Sequence, residues 1–213
     1  MLGLALTFAI VLDRGSISKK ALFRMAFFLP YAVPSVIAAV IWGYLYGPVF
    51  GPFTQAAEAL NLPAPNFLAP QTMLFYIANI VTWEFVGYNM VIYCAALKAI
   101  SGDLSEAARI DGATSWQFAR TIQLLLLWLT IFVTFLFSVN GTPQLFKEPF
   151  LMRALASNAI GSSYTPKLYA YSLATAGQQT GYAAAVSFVL GAVVAGVSVV
   201  FILLAWRGRN RAI

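Results

Sequence analysis

Residues 103–122 read DLSEAARIDGATSWQFARTI and form the one long polar, helix-competent stretch of an otherwise mostly apolar chain. The run 106–109 favours helix, and Ser105 ahead of it is predicted to be the N-cap. Gly112 then breaks the pattern, because glycine favours a turn, and helix is predicted to resume at Ser115. The stretch therefore predicts a short helix, a turn and a second helix.

The first of these helices and the turn behind it have the surface of a docking element. Their small residues allow a partner to approach closely, and their polar residues supply directional contacts. On local composition alone, an ordinary solvated loop between membrane spans is the alternative. The candidate contact residues are Glu106, Ala107, Ala108, Arg109, Asp111 and Gly112.

The composition is that of a membrane protein. Of 213 residues, 61% are hydrophobic and only 9% are charged, whereas a soluble domain carries about a quarter charged residues. The net charge of +6 lies beside apolar runs, which suits the cytoplasmic face of a bilayer and does not require nucleic acid as a partner. Histidine is absent and Cys94 is the single cysteine, which excludes a disulfide within the chain and a His/Cys metal cluster.

Hydropathy predicts an all-α, polytopic helical bundle that forms a single membrane domain over residues 1–213. The run Met1–Leu12 is apolar but shorter than the about 20 residues needed to cross a bilayer. Pro30 and Pro34 are expected to kink the first full span. The four full spans are predicted at 21–46, 71–97, 119–139 and 181–206.

Basic residues orient these spans. The segments predicted to face the cytoplasm are 13–24, 98–120 and 207–213. They hold ten of the thirteen Lys and Arg residues, so the positive-inside rule places the stretch around Glu106 and the C-terminus in the cytoplasm. The segments 47–70 and 140–180 are then outside loops, with a short interfacial helix expected at 53–60.

The polar stretch resembles the EAA loop of ABC importer permeases. The resemblance is carried by Glu106-Ala107-Ala108, Asp111-Gly112-Ala113, Phe118 and Ile122-Gln123-Leu124. In that family the loop forms a coupling helix that docks in a groove on a cytoplasmic ATPase subunit. Four further stretches are similar to the smaller, A- or F-type permease of the sugar-importing branch, namely residues 28–48, 87–100, 137–152 and 165–191.

The resemblance implies a fold, a set of partners and a location. The fold would be the type I importer permease core, in a bacterial or archaeal plasma (inner) membrane. The partners would be the lipid bilayer, a second related permease, two ATPase subunits that bind ATP-Mg, and an extracytoplasmic solute-binding protein. The solute would be a carbohydrate or a glycerol-phosphate-like compound. The chain itself would hold no cofactor and would not be an enzyme, since it has no GK[ST] phosphate loop and no Ser/His or Cys/His pair.

The chain departs from the family in two respects. Members usually begin with a further transmembrane helix and a longer version of the helix at 1–12, so we expect an N-terminal truncation or a misplaced start. The family usually has proline where this chain has Ser101, Leu125 and Leu129. Leucine at 125 and 129 predicts that the third span runs as an unbroken helix, which could shift the angle at which the coupling loop leaves the membrane.

A polar cluster on the second span is the candidate substrate path. Glu84 is the one acidic residue well inside a span, and the cost of a carboxylate in lipid predicts that it faces the bundle, water or a partner. The aromatic and polar side chains near it suit a carbohydrate, although helix packing through polar groups explains them as well. The resemblance adds the end of the third span. The candidates are Trp83, Glu84, Gly87, Tyr88, Ser138 and Asn140.

Two other functions are compatible with the sequence. One is a secondary carrier driven by ions, in which Glu84 would bind a proton or a cation. The other is a non-functional permease fragment that inserts in the membrane but assembles with nothing.

Overall fold

The computed structural model describes residues 1–14, 19–63 and 66–209. Within those ranges the secondary structure is helical and includes no strand, so the predicted all-α fold class is confirmed. Among the described residues, three helical stretches are long and apolar enough to cross a membrane, or four if the broken pair near Pro34 counts as one span. The three are Met73–Lys98, Trp128–Met152 and Thr180–Leu203. Parts of the predicted loops 13–24, 47–70 and 207–213 lie outside the described residues.

The elements follow one another in this order. The α-helices are α1 (Leu2–Arg14), α2 (Lys20–Ala32), α3 (Ser35–Leu45), α4 (Pro52–Ala59), α5 (Met73–Lys98), α6 (Gly102–Ile110), α7 (Ser115–Phe118), α8 (Leu124–Leu126), α9 (Trp128–Gly141), α10 (Lys147–Met152), α11 (Pro166–Thr175) and α12 (Thr180–Arg209). A π-helix, Ala119–Gln123, joins α7 to α8, and a 3₁₀ turn, Thr142–Gln144, follows α9. The helices α4, α5 and α12 confirm the helices predicted at 53–60, 71–97 and 181–206.

The first predicted span is two helices and not one kinked helix. Val33 has extended backbone, with ψ of 128°, because the residue before a proline is sterically excluded from the helical region. Its N–H still donates to the Pro30 carbonyl at 3.2 Å. The span predicted over 21–46 is therefore a pair of helices, α2 and α3, that is broken next to Pro34, where the sequence predicted a kink.

The prediction of an unbroken third span is wrong. Although residues 125 and 129 are leucine, the chain winds as a π-helix up to Gln123, continues as the short helix α8, and starts the longer helix α9 only at Trp128. Backbone hydrogen bonds continue across the interruption, from the Leu127 N–H to the Gln123 carbonyl and from the Ile131 N–H to the Leu127 carbonyl, both at 2.9 Å. The interruption is thus a change in helical winding, which occurs beside the buried Gln123 side chain and without a proline.

The segment 140–180 is folded and is not the long loop that was predicted. It contains α10 and α11, and rings from both helices pack together. The Tyr171 ring centroid lies 5.1 Å from that of Phe146 and 5.2 Å from that of Phe150. The start of α11 has a clear sequence signal, since Pro166 occupies its first turn and the Thr165 hydroxyl accepts a hydrogen bond from the Leu168 N–H at 3.3 Å.

The chain divides into two compact units, and the first comprises residues 1–34 and 81–135. Its core is a cluster of buried residues from α1 and α5, together with Ala119 and Leu127. A buried hydrogen bond of 2.6 Å joins the hydroxyls of Tyr93 and Thr134. The buried residues of this core are Ala5, Ala9, Ile10, Leu12, Met90, Tyr93, Cys94, Leu97, Ala119 and Leu127.

The second unit comprises residues 35–80 and 136–213 and packs around Tyr46. The Tyr46 side chain is 2% exposed, and its hydroxyl accepts a hydrogen bond of 2.8 Å from Asn79 Nδ2. The rings of Trp42, Phe53, Phe67 and Tyr76 surround it. This cluster fixes α4 beside α3 and the start of α5.

Within the first unit, α2 and α5 cross at Gly87 with their backbones in contact. A Cβ atom at this position would overlap the carbonyl group of Phe27, so only glycine allows this approach. The close crossing sets the spacing of the two helices next to Tyr88.

We expect Gly87→Ala to lower the free energy of unfolding by about 1–3 kcal/mol, because the added methyl group must push two backbones apart. Thermal unfolding of the purified protein in detergent measures the change. Gly3→Ala on α1 is the matched control, since a Cβ there meets nothing within 4 Å. An equal effect of the two substitutions would contradict the close crossing.

Candidate functional site

The helix α6 begins one turn before the position that the sequence suggested. Its N-cap is Ser101, whose Oγ accepts a hydrogen bond of 3.2 Å from the Asp103 N–H. The prediction of Ser105 as the N-cap is therefore wrong, and Ser105 lies inside the helix. Asp103 falls in the first turn, where its negative charge is stabilised by the positive end of the helix dipole.

A left-handed glycine ends α6. Gly112 has φ of +77°, a region that glycine enters without steric cost. Its N–H donates to the Arg109 carbonyl at 3.1 Å, and the Ala113 N–H donates to the Ala108 carbonyl at 2.9 Å. These two bonds form a Schellman motif, which satisfies the last carbonyl groups of the helix.

A capping box starts α7 directly after this turn. The Thr114 N–H donates to Gln117 Oε1 at 2.7 Å, and the Gln117 N–H donates to Thr114 Oγ1 at 3.3 Å. Each residue satisfies a backbone group of the other. We refer to residues 102–118 as the elbow. Its turn is closed by hydrogen bonds on both sides, so the elbow has a defined shape.

Most of the predicted contact residues lie on the exposed surface of the elbow. Glu106, Ala107, Arg109, Asp111 and Gly112 are exposed, whereas Ala108 is buried. Sequence reasoning missed two large apolar side chains on the same surface, Ile110 at 86% exposure and Trp116 at 66%. The sequence could have indicated both residues, because each is a large apolar residue within a run of polar residues.

A cavity of about 480 Å³ lies behind the elbow and is lined mainly by polar side chains. Gln123, at the end of the π-helix, borders it and donates a hydrogen bond of 2.9 Å from Nε2 to Asp13 Oδ2. Ser105 and Arg109 of α6 line the same cavity. The base of the elbow is thus next to the end of α1, a contact that the sequence did not predict.

Four of the predicted substrate-path residues lie on α5 in the first unit. Glu84 is 5% exposed, which agrees with the expectation that it faces away from lipid. The Tyr88 ring stacks on Tyr31 of α2, with centroids 4.6 Å apart and planes at 22°. Trp83 is partly buried beside them. Gly87, in contrast, packs against backbone and contributes helix spacing. Sequence reasoning missed Tyr31.

The other two candidates, Ser138 and Asn140, lie near the end of α9 in the second unit. Asn140 Nδ2 donates a hydrogen bond of 2.8 Å to Ser198 Oγ on α12, and that hydroxyl donates to the Val194 carbonyl at 2.9 Å. Asn140 Oδ1 is buried and accepts no hydrogen bond from the described residues. Sequence reasoning also missed Ser198, the partner of Asn140.

Three relatives resemble the chain in sequence. The lactose transport permease LacF of Rhizobium radiobacter is 37% identical over 119 residues, which are 55% of this chain and 40% of LacF. The probable starch-degradation-product permease AmyD of Thermoanaerobacterium thermosulfurigenes is 30% identical over 59% of this chain and 42% of AmyD. The arabinooligosaccharide permease AraP of Halalkalibacterium halodurans is 26% identical over 93% of this chain and 63% of AraP. The chain thus spans only about two fifths of the first two relatives.

The fold matches solved structures of bacterial ABC transporters. A crystal structure of the transporter that imports the acidic polysaccharide alginate aligns with a TM-score of 0.86 at 20% identity, over 97% of this chain and 72% of the other. A crystal structure of a bacterial alginate ABC transporter in complex with an alginate pentasaccharide-bound periplasmic protein aligns with a TM-score of 0.87 at 20% identity, over 97% of this chain and 72% of the other. At this identity the likeness shows the fold, which is that of an ABC importer permease.

The family comparison covers nearly the whole chain. Residues 1–209 match the family described as "Binding-protein-dependent transport system inner membrane component". The matched range includes α1 to α12 and the complete elbow. The chain therefore belongs to the family of inner-membrane components of binding-protein-dependent transport systems.

Proposed function

We propose that the chain is a permease subunit of an ATP-driven importer of a carbohydrate or glycerol-phosphate-like solute, and that it couples to a separate ATPase through the elbow. The observation that carries the proposal is the elbow itself, a capped helix-turn-helix with exposed polar and apolar side chains in a chain of membrane spans. Family membership supports it, as do the sugar or oligosaccharide solutes in the names of LacF and AraP.

The elbow has the properties of a docking surface for the ATPase. Glu106, Arg109 and Asp111 supply charged contacts, and the exposed Ile110 and Trp116 add apolar area. Protein interfaces combine these features, with aromatic side chains at the centre and charges at the rim. Closure of the ATPase around ATP-Mg would push on α6, so the free energy comes from the partner and this chain performs no chemistry.

Other surfaces suit the remaining partners. The membrane-spanning part of α12 leaves its apolar side chains exposed, which fits contact with lipid and with a second permease. The folded segment containing α10 and α11 is predicted to be outside the plasma membrane, where a solute-binding protein would deliver its cargo. In the first unit, the Tyr31–Tyr88 pair supplies aromatic faces, which bind sugar rings. In the second unit, the Asn140–Ser198 pair supplies amide and hydroxyl groups, which bind sugar hydroxyls.

An ion-coupled carrier is not favoured. Its one supporting feature is the buried Glu84, and a buried carboxylate also occurs in helix packing. Members of a binding-protein-dependent family act with a separate binding protein, which an ion-coupled carrier does not need.

Co-expression with a candidate ATPase, followed by pulldown from membranes, tests the coupling surface. We expect Glu106→Lys to reduce recovery of the ATPase about tenfold, because it reverses a charge on the proposed docking surface. Gly112→Val should do the same, since a β-branched residue cannot adopt φ of +77° without strain. Glu58→Lys, the same charge reversal on α4, is the control. Equal recovery from all four proteins would refute the coupling role.

Cysteine labelling tests the orientation. We expect Arg109→Cys to react with a membrane-impermeant maleimide only after the cells are opened, because the positive-inside rule places the elbow in the cytoplasm. Glu58→Cys on α4 should react in intact cells. The native Cys94 is buried and gives a low background. Reaction of Arg109→Cys in intact cells would exclude docking to a cytoplasmic ATPase.

Uptake by the assembled transporter tests the path. We expect Tyr88→Ala to lower kcat/KM for solute uptake about tenfold, because loss of an aromatic stacking partner removes about 1 kcal/mol or more. Tyr88→Phe should retain most activity if the ring face is what matters. Phe75→Ala, an exposed position on the same helix, is the control. Wild-type uptake by Tyr88→Ala would remove this residue from the path.

A further inference from the structure

We propose that the hydrogen bond between Gln123 and Asp13 is the mechanical tie by which movement of the elbow reaches α1. The inference rests on the proposed coupling function and assigns two further positioning residues to it. Neither residue touches the ATPase or the solute in this assignment. They act by making α1 follow the elbow.

The bond has the properties that a tie requires. Gln123 is 3% exposed, and its Nε2 donates at 2.9 Å to Asp13 Oδ2, across 110 positions of sequence. A hydrogen bond to a carboxylate is stronger than one between neutral groups. Separation would leave the buried Gln123 Nε2 group without its acceptor, which is costly. The two elements therefore resist being pulled apart at this point.

The elbow transmits displacement directly to Gln123. The helix α7 continues into the π-helix at Ala119, which is itself buried, so no loop intervenes to absorb the movement. The Schellman motif and the capping box hold the shape of the elbow on the other side. Single-turn π-helices are frequent at functional sites, and this one ends at the residue that makes the tie.

From Asp13 the connection continues through α1 to the candidate path. Asp13 lies in the last turn of α1, and its carbonyl group also accepts a hydrogen bond of 2.9 Å from Lys20 Nζ on α2. The apolar face of α1 packs on α5 through the core of the first unit. Because α5 carries Tyr88, a displacement of α1 reaches the residues proposed to contact the solute.

The cavity behind the elbow leaves room for the movement. Ser105 and Arg109 of α6 line this cavity of about 480 Å³, and so do both residues of the tie. Part of α6 is therefore not packed closely against the tie. The helix α6 can therefore shift toward Asp13 without first breaking the core. The tie limits how far this shift can proceed before α1 must move.

The test uses the complete transporter, purified with its permease partner, ATPase and binding protein and reconstituted in vesicles. Gln123→Glu sets a second carboxylate against Asp13. We expect about a tenfold fall in solute transported per ATP hydrolysed, while the ATPase is recovered at the wild-type level. Gln55→Glu, the same change at an exposed position of α4, should have no effect.

A double variant that exchanges the donor and the acceptor of the bond provides the decisive test. In the double variant Asp13→Asn with Gln123→Glu, the asparagine amide can donate to the new carboxylate, so transport per ATP should return to within about threefold of wild type. Gln123→Met keeps the volume without the bond and should reproduce the loss if the Glu variant is not recovered from membranes.

The outcomes separate the two proposals. Wild-type coupling in both Gln123→Glu and Gln123→Met, or a double variant no better than the single one, would overturn the tie. Failure of the wild-type chain to recover an ATPase would overturn the proposed function itself, whatever the Gln123 variants show.

Discussion

The cost of an unpaired backbone group in lipid governs this structure. Each N–H or C=O without a partner costs several kcal/mol in the hydrocarbon region, so the spans are helices and even their irregular points remain bonded. At the break beside Pro34, the Val33 N–H donates to Pro30. At the end of the π-helix, the Leu127 N–H donates to Gln123. At both of these irregular points a backbone hydrogen bond is kept.

The backbone groups of the elbow are also hydrogen-bonded, here at the ends of its two helices. In water, the backbone groups at helix ends can bond to solvent, yet here side chains and a glycine turn bond them instead. Ser101 caps α6, Gly112 ends it, and Thr114 with Gln117 starts α7. The bonds fix a shape, and a fixed shape is what allows a force applied at one end to act at the other.

Sequence reasoning succeeded where a property was continuous along the chain. The spans α5 and α12 and the polar residues 106–112 were found because each is a contiguous run. It failed where a feature depends on contacts between distant parts of the chain, or on which of two similar residues the folded turn selects. Ser101 and Ser105 have equal capping propensity, and only the folded turn selects Ser101. Short helices within 140–180 show no clear periodicity, although Thr165-Pro166 gave a signal. The pairs Tyr31–Tyr88 and Asn140–Ser198 join distant positions, which a single sequence cannot pair.

These distant pairs explain how an apolar chain holds a specific arrangement. Lipid tails are as apolar as leucine, so apolar contact alone gives helices little reason to choose one neighbour, and polar bonds of about 0.6 kcal/mol each add direction. In the first unit such bonds join Tyr93 to Thr134 and Asp13 to Gln123. In the second they join Tyr46 to Asn79 and Asn140 to Ser198. A transport cycle must keep these bonds or replace them at equal free energy, which favours movement of bonded helices as groups over separate sliding of single helices.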